Sequence, residues 1–321
     1  MIKLEKLTKI FDSHGHRVTA ADEIDMEVAS GEICVLLGPS GCGKTTTLKM
    51  INRIVQPTSG KVFINGDDTS TLQDTELRRR IGYVIQQIGL FPNMTIEDNI
   101  CVVPDLLGWP KAKSRARAKE LLDMVALDPS LFLQRYPGQL SGGQQQRVGV
   151  IRALAADAPV MLMDEPFGAI DPINREIIQD EFLKMQKELK KTILFVSHDI
   201  DEAVKMADKI AIFSDGKLVQ FDTPNDLLAN PANPFVEGFV GSDRAIKRLK
   251  LFSVQDAMLS LQGRVDQSSP IISVNSNLTD AASLLYNSKA NALNCIDEFN
   301  NVVGHLTHDQ ISTHLNAPLA S

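Results

Sequence analysis

Residues 38–46, reading GPSGCGKTT, constrain what this chain can fold into more than any other stretch. A glycine, four residues and then Gly-Lys-Thr make sense only where a strand hands over to a helix. The apolar run Ile33–Leu37 reads as a buried strand, and residues 47–54 read as the helix that follows. Gly38, Gly41 and Gly43 let successive backbone N–H groups turn inward as an anion nest, and a helix starting at Lys44 aims its positive dipole end at the same point. Lys44 then reaches the β- and γ-phosphates of a nucleotide, and Thr45 offers a hydroxyl to Mg²⁺. A glycine-rich turn that matches by chance is the competing reading, so motifs further along decide.

At 321 residues the chain suits one large domain plus a smaller one. A hydrophobic content of 43% and a charged content of 23% are ordinary for a globular protein. The net charge of −7 argues against general affinity for nucleic acid or anionic lipid. No run approaches the ~18 apolar residues of a membrane span, and the opening MIKLEKLTKI has charges where a signal peptide has its apolar core, so a cytoplasmic chain is expected. Cys34, Cys42, Cys101 and Cys295 lack metal-ligand spacing and read as free thiols.

Along the chain, residues 2–7 and 24–28 alternate like half-exposed strands around a turn with His14, Gly15 and His16, both histidines reading as solvated. Phe11, just after the first strand, offers a π face to a base, with plain core as the alternative. Residues 61–64 read as a strand, Asn65-Gly66 as a hairpin turn and residues 72–80 as a helix ending in solvated arginines. A strand over 81–85 delivers Gln86 to the edge where open α/β sheets collect ligands, a metal or an attacking water among them; a surface glutamine is the alternative.

From about residue 90 to 156 the pattern turns helical, with helices expected over 95–101, 111–125 and 142–156; Lys111, Arg115, Arg117 and Lys119 read as a solvated face. Leu140-Ser141-Gly142-Gly143-Gln144 opens the last of these and provides a second anion-seeking helix start. The strand over 160–163 ends in Asp164-Glu165: the aspartate can hold Mg²⁺ through water, and the glutamate points elsewhere, free to take a proton from water. Gly168-Ala169-Ile170-Asp171 leads into a helix to residue 191, and a strand over 192–196 delivers Ser197-His198-Asp199. His198 can hydrogen-bond a γ-phosphate, or simply cap the next helix over 199–207. Residues 210–213 and 218–221 form a hairpin through Asp215-Gly216.

In order and spacing, the phosphate loop, Gln86, Leu140–Gln144, residues 161–165, Asp171 and His198 resemble the motif set of the ATP-binding cassette (ABC) ATPases over residues 1 to about 240. The resemblance implies an α/β fold: a P-loop NTPase core with an antiparallel β subdomain and a helical subdomain (about 90–156). It implies hydrolysis of ATP to ADP and phosphate in a head-to-tail dimer, each nucleotide lying between the phosphate loop of one copy and the LSGGQ helix start of the other. Gly38, Pro39, Ser40, Gly41, Cys42, Gly43, Lys44, Thr45 and Thr46 then hold the phosphates, and Phe11 stacks on adenine. Thr45, Gln86 and Asp164 serve Mg²⁺, Glu165 polarises water, His198 clamps the γ-phosphate, Ser141, Gly142, Gly143 and Gln144 reach across the dimer, and Asp171 pairs the subunits.

Three further segments, IGYVIQQIGLFPNMTIEDNI, VPDLLGW and GFVGSDRAIKRL, resemble the ATPases of bacterial importers for glycine betaine, choline, carnitine or proline-type osmoprotectants. That implies membrane permease subunits docking near residues 86–99, where Leu90, Phe91, Pro92 and Met94 are apolar, and a solute-binding protein acting indirectly. It also implies a peripheral position on the cytoplasmic face of the inner membrane and no nucleic-acid partner. An importer for another small solute and a soluble non-transport ABC ATPase are the alternatives. After a basic linker helix over 242–251, residues 252–315 resemble a single, small α+β CBS module, followed by a tail over 316–321. Asp309 lies two residues after Thr307 where nucleotide-binding members have three, leaving an ionic-strength sensor or a dimer prop.

Overall fold

The computed structural model describes residues 1–13, 16–85, 89–168, 170–260 and 268–316; Gln86, His14, Gly15 and Ala169 lie outside the described residues. The chain divides into two compact units, residues 1–221 and 222–321.

In the first unit, β1 (Ile2–Ser13) and β2 (His16–Val28) form a long antiparallel pair, and β3 (Ile33–Leu37) leads into α1 (Lys44–Ile51). β4 (Ser59–Ile64) and β5 (Asp67–Asp68) complete an antiparallel sheet of order β2-β1-β4-β5. Phe11 lies within β1, not after it. The ladder shifts register between Leu4 and Leu7 and twice more beyond, and Lys6 has φ 44°, so alternation ends while pairing continues.

α2 (Asp74–Arg79) precedes β6 (Ile81–Val84), and a helical layer follows: α3 (Ile96–Leu106), α4 (Lys111–Met124), α5 (Pro129–Phe132) and α6 (Gly142–Leu154). Helix α3 runs past the expected stop at Cys101 and through Pro104. Ile96, Ile100, Cys101 and Pro104 form one buried stripe, and that burial outweighs the ladder bond Pro104 removes. On α4, Arg117 is half-buried, its side chain 14% exposed and paired with the exposed Glu120 at 2.6 Å.

The chain then returns through β7 (Val160–Asp164), α7 (Pro172–Leu189), β8 (Thr192–Val196), α8 (Ile200–Met206), β9 (Lys209–Ser214) and β10 (Lys217–Asp222). The resulting sheet has order β10-β9-β3-β8-β7-β6, with its β9-β3-β8-β7-β6 run parallel. Every residue of β3, β7 and β8 is buried, as expected of parallel strands covered on both faces. Each fully buried aliphatic side chain there contributes about 1.5–3 kcal/mol. The loops leaving β3, β7 and β8 all depart from the same edge, because the strands are parallel and in register: Leu36 pairs with Val196, and Val196 with Asp164.

The second unit holds α9 (Pro224–Ala229), α10 (Pro234–Val240), α11 (Arg244–Leu249), α12 (Val254–Ala257), β11 (Leu259–Ser260), β12 (Ile271–Ser273), α13 (Leu278–Ser288), β13 (Ala292–Ile296), β14 (Val302–Thr307) and α14 (His308–Asn316). Its sheet runs β11-β14-β13-β12. The division at 221 falls ahead of the boundary expected at 241, and the stretch read as a basic linker over 242–251 holds α11. Leu249 belongs to the core of this unit with Val254, Leu278, Leu293 and Leu306, and Lys247 is buried, its Nζ donating to Val240 O (2.9 Å) and Asp243 Oδ1 (2.5 Å). A lysine buries its stem where acceptors such as these meet its ammonium.

Candidate functional site

Strand β3 is the buried base from which residues 38–43 arch over to α1. Gly38 has φ 142° and Gly43 φ 104°; a Cβ on Gly43 would stand 2.0 Å from Ala20 O, and one on Gly38 2.2 Å from Phe213 O. The loop is therefore clamped between β2 and β9, and no larger residue fits at either position. Lys44 is buried, with Nζ donating to Gly38 O (2.6 Å) and Pro39 O (2.9 Å). Cys42 is 4% exposed, and its Sγ faces Lys44 Nζ at 3.6 Å while its N–H donates to Pro39 O, so its thiol points into the protein. Pro39, Ser40 and Gly41 are exposed, and Thr46 is half-buried.

Thr45 Oγ1 donates to Asp164 Oδ1 at 3.0 Å, joining the start of α1 to the end of β7. Asp164 is 4% exposed; burial pushes its carboxyl pKa up, opposed by the Thr45 hydroxyl and the charges of Lys49 and Lys44. Such a desolvated carboxylate beside a hydroxyl is a hard-oxygen pair that gains from a small divalent cation. Among the described residues no group of three or more His, Cys, Asp or Glu could hold a metal, but an ion shared with substrate phosphates needs fewer protein ligands.

Glu165 takes the left-handed conformation, φ 49°, uncommon for a non-glycine residue, and its N–H donates to Val196 O at 3.1 Å. Its carboxylate Oε1 lies 3.8 Å from His198 Nδ1. The carboxylate and the imidazole thus face one another from the ends of neighbouring strands.

Ser141 caps α6: its Oγ accepts from Gln144 N (3.3 Å) while Gln144 Oε1 accepts from Ser141 N (2.9 Å), so the Gln144 side chain has a local task. An added Cβ at Gly142 or Gly143 meets nothing within 4 Å, which leaves the helix start open to an approaching partner. Asp171 caps α7 through Asn174 N (3.1 Å) and Asn174 Nδ2 (2.8 Å), bonds that hold its carboxyl below the usual range. Among the described residues, no hydrogen bond or ion pair joins residues 141–144 or Asp171 to the phosphate loop. Phe11 is 42% exposed and pairs with Val18, roughly 7 Å along β2 from the loop-clamping Ala20. Lys9 Nζ lies 4.9 Å from its ring.

Sequence reading missed three polar groups around these loops. Gln146 of α6 is 4% exposed, and its Nε2 donates to Pro166 O, directly after Glu165. Glu202 of α8 is 7% exposed and hydrogen-bonded to Ser197 and to Gln179 Nε2 (3.0 Å); burial raises its pKa. Arg175 of α7 reaches Ile170 O at 2.9 Å and Asp199 Oδ2 at 3.6 Å. The spacing of Arg175 and Gln179, one turn apart on a helix face, is the only sequence signal.

The sequence model of the ABC transporter family matches residues 21–168. The osmoprotectant import ATP-binding protein OsmV of Salmonella typhimurium is 64% identical over 257 residues, 80% of this chain and 67% of that protein. The glycine betaine/carnitine/choline transport ATP-binding protein OpuCA of Bacillus subtilis is 48% identical over 312 residues, 97% of this chain and 79% of that protein. Among solved structures, a dimeric ATP-binding cassette in a post-hydrolysis state with ADP and phosphate is 34% identical, with a TM-score of 0.64 over 70% of this chain and 98% of that one. With a clamped phosphate loop, an aspartate bonded to its threonine and a glutamate facing a histidine, the chain belongs to the ATP-binding ATPases of the ABC transporter family.

Proposed function

We propose that this chain is the ATP-hydrolysing subunit of an importer for osmoprotectants such as glycine betaine, choline or carnitine. The juxtaposition of Glu165 and His198 carries the catalytic half of this reading. Lys44 exchanges its bonds to Gly38 O and Pro39 O for charge-assisted bonds to the β- and γ-phosphates, while the exposed amides of the loop complete the cradle. Thr45 and Asp164 would hold Mg²⁺, which would supply positive charge against the phosphates. Glu165 accepts the proton of the attacking water, and His198 orients the γ-phosphate beside it. Ser141 and Gly143 of a second copy close the site, Asp171 supports the pairing, and Phe11 stacks on the base.

The two relatives, named for osmoprotectant import and for glycine betaine, carnitine and choline transport, support the choice of cargo. No helix among the described residues is long and apolar enough to cross a membrane, and on this reading separate permease subunits carry the solute. The surface that suits them is the loop at Phe91, 48% exposed and held from beneath by Asn99, which accepts from Phe91 N (2.8 Å) and donates to Phe91 O, Met94 O and Thr95 O. On this reading the chain sits peripherally on the cytoplasmic face of the membrane. Residues 252–315 serve as a CBS-like prop: Gln310, three residues after Thr307, accepts from Thr307 N at 2.7 Å as a helix cap, in the place where nucleotide-binding members have an aspartate.

Glu165→Gln tests the mechanism. Turnover should fall about 10²–10⁴-fold, the contribution of a general base, while ATP binding persists and ATP drives dimer formation in sedimentation. Hydrolysis near the wild-type rate would remove Glu165 from that role. For cargo, cells lacking this chain should lose uptake of labelled glycine betaine or choline and regain it on complementation; unchanged uptake of both, with carnitine and proline also unaffected, would reject osmoprotectant import.

A further inference from the structure

We propose that Arg175 is a positioning residue that ties the loop bearing His198 to the loop bearing Asp171, so that subunit pairing and placement of the histidine are set together. The inference rests on the ATP-sandwich reading above. Arg175 lies in the first turn of α7, its N–H donating to Asp171 O at 2.8 Å. Its guanidinium forks: Nη2 donates to Ile170 O (2.9 Å), and Nη1 lies 3.6 Å from Asp199 Oδ2. Ile170 precedes Asp171, and Asp199 follows His198, so one rigid planar group touches the neighbours of both functional residues.

Neither helix needs this link for its own end. Asp171 caps α7 through Asn174, and Asp199 Oδ1 caps α8 by accepting from Asp201 N (2.9 Å) and Glu202 N (3.3 Å). What remains for Arg175 is the bridge, and it is kept although Arg175 Nε is buried without a hydrogen-bond partner. One turn further along, Gln179 Nε2 donates to Glu202 Oε1 at 3.0 Å and Glu202 bonds Ser197, so α7 grips the histidine loop from both sides. A second copy that presses on the Asp171 loop therefore moves Asp199, and His198 with it.

The test uses the full chain with Glu165→Gln, so that ATP is not consumed, and reads ATP-driven dimerisation by sedimentation beside ADP binding to the single subunit. Arg175→Met keeps the stem without the fork. Asp199→Asn keeps an oxygen to cap α8 without the charge, and stands in if Arg175→Met lowers the melting midpoint. Each should weaken the ATP dimer about five-fold or more and leave ADP affinity unchanged. Added to His198→Ala, neither should weaken the dimer further, because the effect passes through the histidine. Full dimerisation by both variants, or losses that simply add to that of His198→Ala, would overturn the inference. Failure of the Glu165→Gln parent itself to dimerise with ATP would instead reject the sandwich reading.

Discussion

Asp164 serves the chemistry at a cost to the fold. Burial raises its pKa, so the folded chain favours the protonated carboxyl; the stability it lends is complete below the ordinary aspartate range and is lost as pH rises through the raised value. Asp164→Asn should therefore raise the melting midpoint of the nucleotide-free chain at pH 7, leave it nearly unchanged at acid pH, and abolish Mg²⁺-dependent hydrolysis; a lower midpoint at pH 7 would contradict the burial argument. Gly43→Ala should act in the opposite way on stability. Its Cβ would meet Ala20 O at 2.0 Å in a left-handed backbone that itself costs about 1–2 kcal/mol, so ADP affinity and melting midpoint should both fall. Groups like these were legible from sequence because their geometry is local: a strand end, a glycine, a helix start. Gln146, Arg175 and Glu202 were not, since the bonds that give them meaning reach other elements, 20 residues away for Gln146 and 23 for Gln179 to Glu202.

Helix α6 shows what a single element must do twice. Its Ser141–Gln144 box seals the end, while its glycines leave that end approachable. Ser141→Ala should cost about 1 kcal/mol of stability from the lost cap, and in the Glu165→Gln chain it should also weaken ATP-driven dimerisation; urea titration and sedimentation separate the two. Among the strands, β3, β7 and β8 were readable as continuous apolar runs because both their faces are covered. The length of β1 was hidden by its bulges, and that of α3 by Pro104, two cases where pairing or burial outlasts the local pattern.

For the whole molecule, the division at residue 221 sets where the chain can be cut. A chain ending at 221 should melt cooperatively and bind ADP. One ending at 250 keeps α9–α11 but strips Leu249 of Val254, Leu278 and Leu306, and should scatter more light at equal concentration. Equal behaviour of the two would place the boundary further along. The basic composition of residues 244–250 suggested a linker, because composition cannot reveal that Lys247 finds acceptors on its own unit.

Two ladders sharing β8 fix the common edge of β3, β7 and β8, and so the spacing between Thr45, Asp164, Glu165 and His198 is quantised. A strand in this sheet can slip only by whole residue pairs, roughly 7 Å, far beyond the reach of any hydrogen bond. Damage to that interior should therefore show as a mixture of fully competent and wholly inert molecules, with no population working at half speed.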